Sequence, residues 1–409
     1  VRAVREKLTR VFKAFTYRDF RLLWAGSFTS SVGTWMQSVA QAWLLLTISG
    51  NPQYLAWADA LQQAPFLVLS LVGGVLADRM DRRRILLLSQ VVQLSSAFLL
   101  MFLVAKGLVA VWMILVLSLV VGVAMSFGGP AYQALVPTLV DREDVPNAVA
   151  LNSIQFNLAR VIGPVLAGAA FATLGAAACF GLNGVSFFAV IVALLFLRRG
   201  APSGAASGSV LENLKAGLKA AYGHRALRGL IGLSFIGSIC AFPLLTFLPV
   251  FAKDVFKGDV KVLSYFLAVF GLGAVVGAVG TAGFGHVKRR GAVAVAMQMT
   301  LGALMIGFAL SRAKWLSFGL LFCAGAALMI VFAMFMTLVQ TNVEDALRGR
   351  VVSVYSLAFR GAMPLGSVIA GFLVGIMPTH WVLAGNGLLL LLVGTTVFLR
   401  NHPEGVPNL

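Results

Sequence analysis

The chain of 409 residues is 59% hydrophobic and only 11% charged, with a mean hydropathy of +0.92; soluble domains carry roughly 25% charged residues, so this composition excludes a single water-solvated core. Its net charge of +18 would suit a nucleic-acid partner, but Lys and Arg sit in short clusters between long apolar runs and not along one face. No nucleic acid is expected, and the charge reads as topology.

Residues 1–19 are basic and amphipathic, with no cleavage site before the first apolar run. They read as a cytoplasmic surface segment and not as a signal peptide. Runs long enough to cross a bilayer, about 20 residues each, follow at 20–48, 54–77, 85–105, 110–133, 148–173 and 176–197. Residues 200–227 form a linker: Gly200 to Gly208 is small and polar, and Leu211 to Tyr222 is a basic amphipathic helix lying on the inner surface. Six further runs cover 228–252, 262–284, 292–311, 315–338, 351–376 and 380–399, before a tail at 401–409. The expected architecture is all-α, with twelve membrane helices in two six-helix bundles, 20–199 and 228–400. The sharpest breaks, Gly50-Asn51-Pro52, Lys106-Gly107 and Met377-Pro378, carry turn chemistry.

With twelve spans, 24 Lys and Arg residues fall on one side and 6 on the other. The rich side takes both termini, which are expected in the cytoplasm. Cys179, Cys240 and Cys323 lie singly in apolar runs and offer no disulfide framework or metal spacing. No cofactor is expected.

The two halves resemble each other. Leu135 to Val140 leaves span four as Leu338 to Val343 leaves span ten; Arg160 precedes Pro164 as Arg360 precedes Pro364; Arg82-Arg83-Arg84 corresponds to Lys288-Arg289-Arg290. All three pairs are offset by about 200 residues, as a duplication requires. Parallel halves with a site at their interface are a transporter arrangement.

The run Gly74-Val-Leu-Ala-Asp78-Arg79-Met-Asp81-Arg82-Arg83 resembles the loop signature of the major facilitator superfamily, with Asp81 where Gly is usual. Gly33-Thr-Trp35-Met-Gln37, Gly129 to Gln133, and Arg348-Gly-Arg350-Val-Val-Ser353 are similar to its enterobactin-exporter and macrolide-efflux subgroup. The resemblance runs from Phe15 to Leu399 and implies two pseudo-symmetric bundles working by alternating access. It also implies a conformational latch in which Asp78 faces the start of span eleven, with Arg79, Arg82, Arg348 and Arg350 beside it. A carboxylate at a helix N-terminus gains about 0.3–1 kcal/mol. Gly163-Pro164 resembles the antiporter signature of helix five, and small residues with proline also serve close packing and bending. Pro364 is the matching bend in span eleven. Span four lacks the basic residue of many proton-coupled drug antiporters.

Asp59 is the one carboxylate well inside an apolar run. It is a coupling candidate, since an intramembrane acid is costly unless paired or cavity-facing; proximity to headgroup water is the alternative. Arg160 and Arg360 lie near the bilayer centre and should face the interior, either to bind an anionic cargo or to serve carbonyls freed by the prolines. Gln37, Gln41, Tyr132, Asn152, Asn157 and Tyr355 could contact cargo or make interhelical hydrogen bonds. The function that fits is a secondary-active exporter of an amphipathic drug- or siderophore-like molecule, with proton antiport as one coupling. A lipid or lysolipid carrier and a non-transporting sensor or scaffold are the alternatives. The expected partners are the cargo, membrane lipid and protons, and the chain is expected to act as a monomer. An enzyme is not expected, because His224, His286 and His402 lie outside the spans, His380 only opens the last one, and no nucleophile–base pair appears.

Overall fold

The structure is a computed structural model describing residues 12–79, 81–198, 210–283 and 290–400; the side chains of 70–79, 210–214, 282–283, 345–346 and 400 are outside that description. The segment before Phe12, the Gly200–Gly208 stretch, Lys288-Arg289, His286 and the tail from Asn401 therefore lie outside the described residues.

Among the described residues nine helical stretches are long and apolar enough to cross a membrane. One of them, Arg142–Leu195, holds two spans: Gly175 breaks it with φ +82° and ψ 177°, a conformation essentially closed to side chains with a Cβ. Spans five and six are thus 145–174 and 176–195. Span one (Arg18–Ser49) and span two (Gln53–Arg79) carry more polar side chains, Gln37, Gln41, Asp59 and Gln63 among them, and complete twelve. The others are span three (Arg82–Ala105), four (Val111–Leu135), seven (Arg225–Val255), eight (Val260–Gly283), nine (Arg290–Leu310), ten (Lys314–Thr341), eleven (Asp345–Ile376) and twelve (Thr379–Arg400). A surface helix, Val210–Gly223, precedes span seven and packs on span eleven. Val279, Ile376 and Trp315 are large apolar side chains left exposed on the spans, as lipid-facing surfaces permit.

The breaks follow local chemistry. Gly107 closes span three at φ +68°, with the Leu108 amide donating to Leu103 O at 2.8 Å, a C-terminal cap that needs a left-handed residue. Asp81 caps the start of span three by accepting from the Arg83 amide at 2.9 Å. Met377 is extended before Pro378, as a residue preceding proline must be.

Close contacts divide the chain into two compact units, residues 1–44 with 68–207 and residues 45–67 with 208–409. In the first, span three packs on span four and on span six, where Gly181 and Gly184 receive Met101 and Phe98. In the second, span nine packs on spans ten and twelve in the same way. The buried positions of span three (Leu86, Ser89, Gln93, Ser96, Ala97, Leu100) reappear 205 residues later in span nine as Gly291, Ala294, Gln298, Leu301, Gly302 and Met305. The duplication is therefore visible in burial as well as in sequence.

A clasp ties the entry of the first unit. Lys13 pairs with Asp144 at 2.8 Å, and the Tyr17 hydroxyl reaches Asp144 at 2.7 Å and Asp141 at 2.9 Å. The Ala14 amide donates to Asn147 Oδ1, and the Arg198 amide to Asp19. The hydrogen bond from Lys13, then that from Tyr17, hold the Asp144 carboxyl below its ordinary range. The same carboxylate raises Lys13 and, with burial and Asp141, pushes Tyr17 up to about 12.

The signs differ. Asp144 contributes stability that is lost as pH falls through its depressed pKa. Lys13 and Tyr17 contribute stability that is lost as pH rises through their raised ones. Asp144→Asn should lower Tm by roughly 2 °C at neutral pH and flatten the acid limb of a Tm-against-pH curve followed by tryptophan fluorescence. An unchanged acid limb would dismiss the clasp.

Candidate functional site

The polar groups of the second unit gather where residues 53–67 of span two run antiparallel to span eleven. Gln53 lies beside Gly375, Ala56 beside Gly371 and Leu67 beside Gly361. Trp57 meets the Phe372 ring edge-on at 5.3 Å. As numbers rise on one helix they fall on the other, so these contacts form one seam. Glycine permits it: an added methyl at Gly361, Gly371 or Gly375 would overlap the facing side chain.

Asp59 sits in the middle of this seam, half-buried. Its carboxylate accepts from Gln63 Nε2 at 2.7 Å, one turn along its own helix, and from the Ser367 hydroxyl of span eleven. Thr246 of span seven adds a long 3.5 Å contact, sharing its hydroxyl with Phe242 O. Three helices thus converge on one acid, and hydroxyl groups can donate or accept as its protonation requires. Gln63 was not named from the sequence, although its i,i+4 spacing from Asp59 was a usable signal; Ser367 and Thr246, far away in sequence, carried none.

Seven residues from Ser367 along span eleven, the exposed Arg360 lays its guanidinium over the Phe66 ring, 4.7 Å from the centroid. In the first unit the half-buried Arg160 lies 5.3 Å over Trp35. Neither arginine has an ion-pair partner within its own unit among the described residues. Stacking on an aromatic face offsets part of the cost of a cation at this depth. It also leaves the N–H fork available, and a guanidinium fork matches carboxylate or phosphate geometry.

The remaining candidates are spread over both units. Gln37 accepts from Asn183 at 2.7 Å and Gln41 donates to Ser118 at 3.0 Å, binding span one to spans six and four. Tyr132 donates to Asn152 at 2.6 Å, and Asn157 to Ser153 O in its own helix. Tyr355 is 1% exposed. Gly163 is crossed by Val32 and Trp35 of span one, so close packing accounts for its lack of a side chain.

Of the latch residues, Asp78 and Arg79 lie outside the described side chains. Arg82 donates to Ala134 O at 3.2 Å and Arg348 to Gln340 O at 3.1 Å, so each serves the carbonyl end of a helix, span four and span ten respectively. Arg83 does the same for span six through Leu195 O at 2.8 Å. Arg350 is exposed, its carbonyl against Gly217 of the surface helix. A cavity of about 300 Å³ beside Pro52, Asp254, Met377 and His380 lies where helices end, well away from Arg360 along span eleven.

Comparison with known proteins matches residues 9–406 to the transmembrane secretion effector family. The chain is 23% identical to the staphyloferrin A transporter of Staphylococcus aureus, covering 91% of this chain and 94% of that protein. It is 27% identical to the multidrug efflux pump Tap of Mycolicibacterium fortuitum (94% and 96%) and 26% identical to the enterobactin exporter EntS of Shigella flexneri (94% and 92%). Among solved structures, the nucleoside transporter NupG superposes with a TM-score of 0.74 at 13% identity, over 94% of this chain and 100% of that one. A bacterial homologue of the human lysosomal transporter Spinster does so at 0.74 and 14%, over 94% and 97%. These last two likenesses are likenesses of fold.

Proposed function

From the premise that the chain belongs to the transmembrane secretion effector family of the major facilitator superfamily, we propose that it is a secondary-active exporter of amphipathic small molecules. The observation that carries this reading is similarity over more than nine-tenths of the chain to proteins named for siderophore and drug export. It is a multi-pass membrane protein, and its twelve spans suit alternating access. The excess of Lys and Arg in alternate loops favours the bacterial cytoplasmic membrane with both termini in the cytoplasm.

In this reading the cargo is a drug- or siderophore-like molecule carrying an anionic group. Arg160 and Arg360 recognise that group, each held by an aromatic ring and free of an ion pair within its unit. Asp59 carries the coupling proton: its acceptors and donors are exchangeable hydroxyl and amide groups from three helices. Asp78, Arg79, Arg82, Arg348 and Arg350 act in the conformational cycle, and the protein works as a monomer.

The test is transport by purified protein in proteoliposomes, with and without an imposed pH gradient, using a macrolide, a catecholate siderophore and ethidium. At least one should accumulate against its gradient, and a protonophore should collapse the accumulation. Absence of flux for all three removes the exporter reading; flux indifferent to the gradient removes only proton antiport.

A further inference from the structure

In the first unit Gln93 of span three has an internal partner: its amide donates to the Ser89 carbonyl at 3.3 Å and hydroxyl at 3.2 Å, one turn back. Gln298 occupies the same buried register of span nine, but the residue one turn back is Ala294, which offers no hydroxyl. Gln298 is 1% exposed and Ser238 2%. Among the described residues neither atom of the Gln298 amide, nor Ser238 Oγ, has a hydrogen-bond partner. Buried polar groups are almost always satisfied, so three such atoms in one place call for an occupant.

A place for one exists. A hollow of about 20 Å³ is lined by Ser234 and Ser238 of span seven, Gln298 of span nine, and the rings of Phe242, Phe332 and Phe359. A water needs roughly 10–15 Å³, so the hollow takes one water or one polar atom of similar size. Ser234, Ser238 and Gln298 are buried and the three phenylalanines half-buried; Leu301, Leu328, Val331 and Phe335 are among the residues that complete a mainly apolar lining. Phe359 is the hub, 4.7 Å from Phe332, 5.8 Å from Phe242 and 6.3 Å from Tyr355. The donors and acceptors are all neutral, which disfavours an ion.

The position ties this pocket to the candidate site. Phe359 precedes Arg360 directly, and Phe242 O receives the same Thr246 hydroxyl that approaches Asp59. Resting on the exporter reading above, we propose that the pocket lined by Gln298 and Ser238 is a cargo subsite for an uncharged hydrogen-bonding group, a hydroxyl, carbonyl or amide, which takes the place a water would fill. The phenylalanine rings receive the adjoining apolar part of the cargo. Selectivity among amphipathic cargoes then depends on this pocket, because a site built to hydrogen-bond a group rejects molecules that lack it.

Two probes separate the roles. Erythromycin carries hydroxyl and carbonyl groups; tetraphenylphosphonium has no hydrogen-bonding group. In proteoliposomes, Gln298→Met should raise KM for erythromycin about ten-fold while kcat stays within about two-fold, so that the ratio of erythromycin to tetraphenylphosphonium transport falls about ten-fold. Ser238→Ala should move the ratio the same way, which guards against a folding defect in the first variant. A ratio that moves in neither variant overturns the subsite.

Immobility of both probes, each a cation, with the parent protein excludes them as cargo and leaves the exporter reading to the anionic siderophore. The subsite is then decided by high-resolution density of the purified protein: an ordered solvent or ligand atom hydrogen-bonded to the Gln298 amide sustains it, and a dry pocket overturns it.

Discussion

Asp59→Asn should abolish the response of flux to a pH gradient, lowering gradient-driven transport by about two orders of magnitude, the scale on which a positioned proton carrier acts. Asparagine keeps the shape: its oxygen accepts from Gln63 and its NH2 takes the place of the oxygen facing Ser367, whose hydroxyl can accept as well as donate, so the seam between spans two and eleven should hold. What it cannot do is exchange a proton. Cargo-for-cargo exchange, which needs no net proton movement, should therefore survive in the variant while gradient-driven accumulation does not.

Ser367→Ala supplies the graded control. Losing one hydrogen bond to a charged group costs about 1.5–3 kcal/mol, and gradient-driven flux should fall roughly ten-fold. Undiminished gradient-driven accumulation by Asp59→Asn in proteoliposomes would end the coupling proposal whatever Ser367→Ala does.

The membrane made most of the fold legible. Lipid offers no hydrogen bonds, so each crossing must be a long apolar helix, and the crossings announce themselves. The breaks were legible for a different reason: Gly50 and Gly107 adopt positive φ, and Met377 is extended before Pro378. Gly175, the sharpest break, stands in the two-residue gap between the fifth and sixth apolar runs, yet no neighbouring charge or proline marks it.

The site was legible only as single residues. Asp59, Arg160 and Arg360 stand out because a charge in lipid is expensive, but their surroundings are contacts across the chain. Ser367 and Thr246 look like ordinary small polar residues in apolar runs. Trp35 and Phe66 as arginine platforms, and the packing of residues 45–67 with the second unit, depend on helix rotation that one sequence does not specify. Gln298 escaped notice because a lone glutamine in a span ordinarily finds a partner. What marks it is comparison with Gln93, where a serine one turn back does that work.

Arg360→Leu and Arg160→Leu should each weaken binding of a carboxylate amphiphile about ten- to hundred-fold, the equivalent of one charge-assisted hydrogen bond, while the methyl ester of the same molecule binds with little change. Arg→Lys should recover part of the loss: the charge returns, but the planar fork and its stacking on Phe66 or Trp35 do not. The comparison of acid with ester matters because the alternative role makes the opposite pattern. If the guanidinium groups instead serve carbonyls freed by Pro164 and Pro364, their removal leaves buried acceptors unsatisfied and lowers Tm, with acid and ester affected alike.

The two arginines should also differ. Arg360 is exposed and Arg160 half-buried, so losing Arg160 removes more of a desolvated interaction and should have the larger effect on affinity. Fluorescence titration of the acid and ester against each variant, alongside its Tm, separates recognition from support. Equal losses for both ligands would assign the arginines to the scaffold and leave the anionic character of the cargo without a basis.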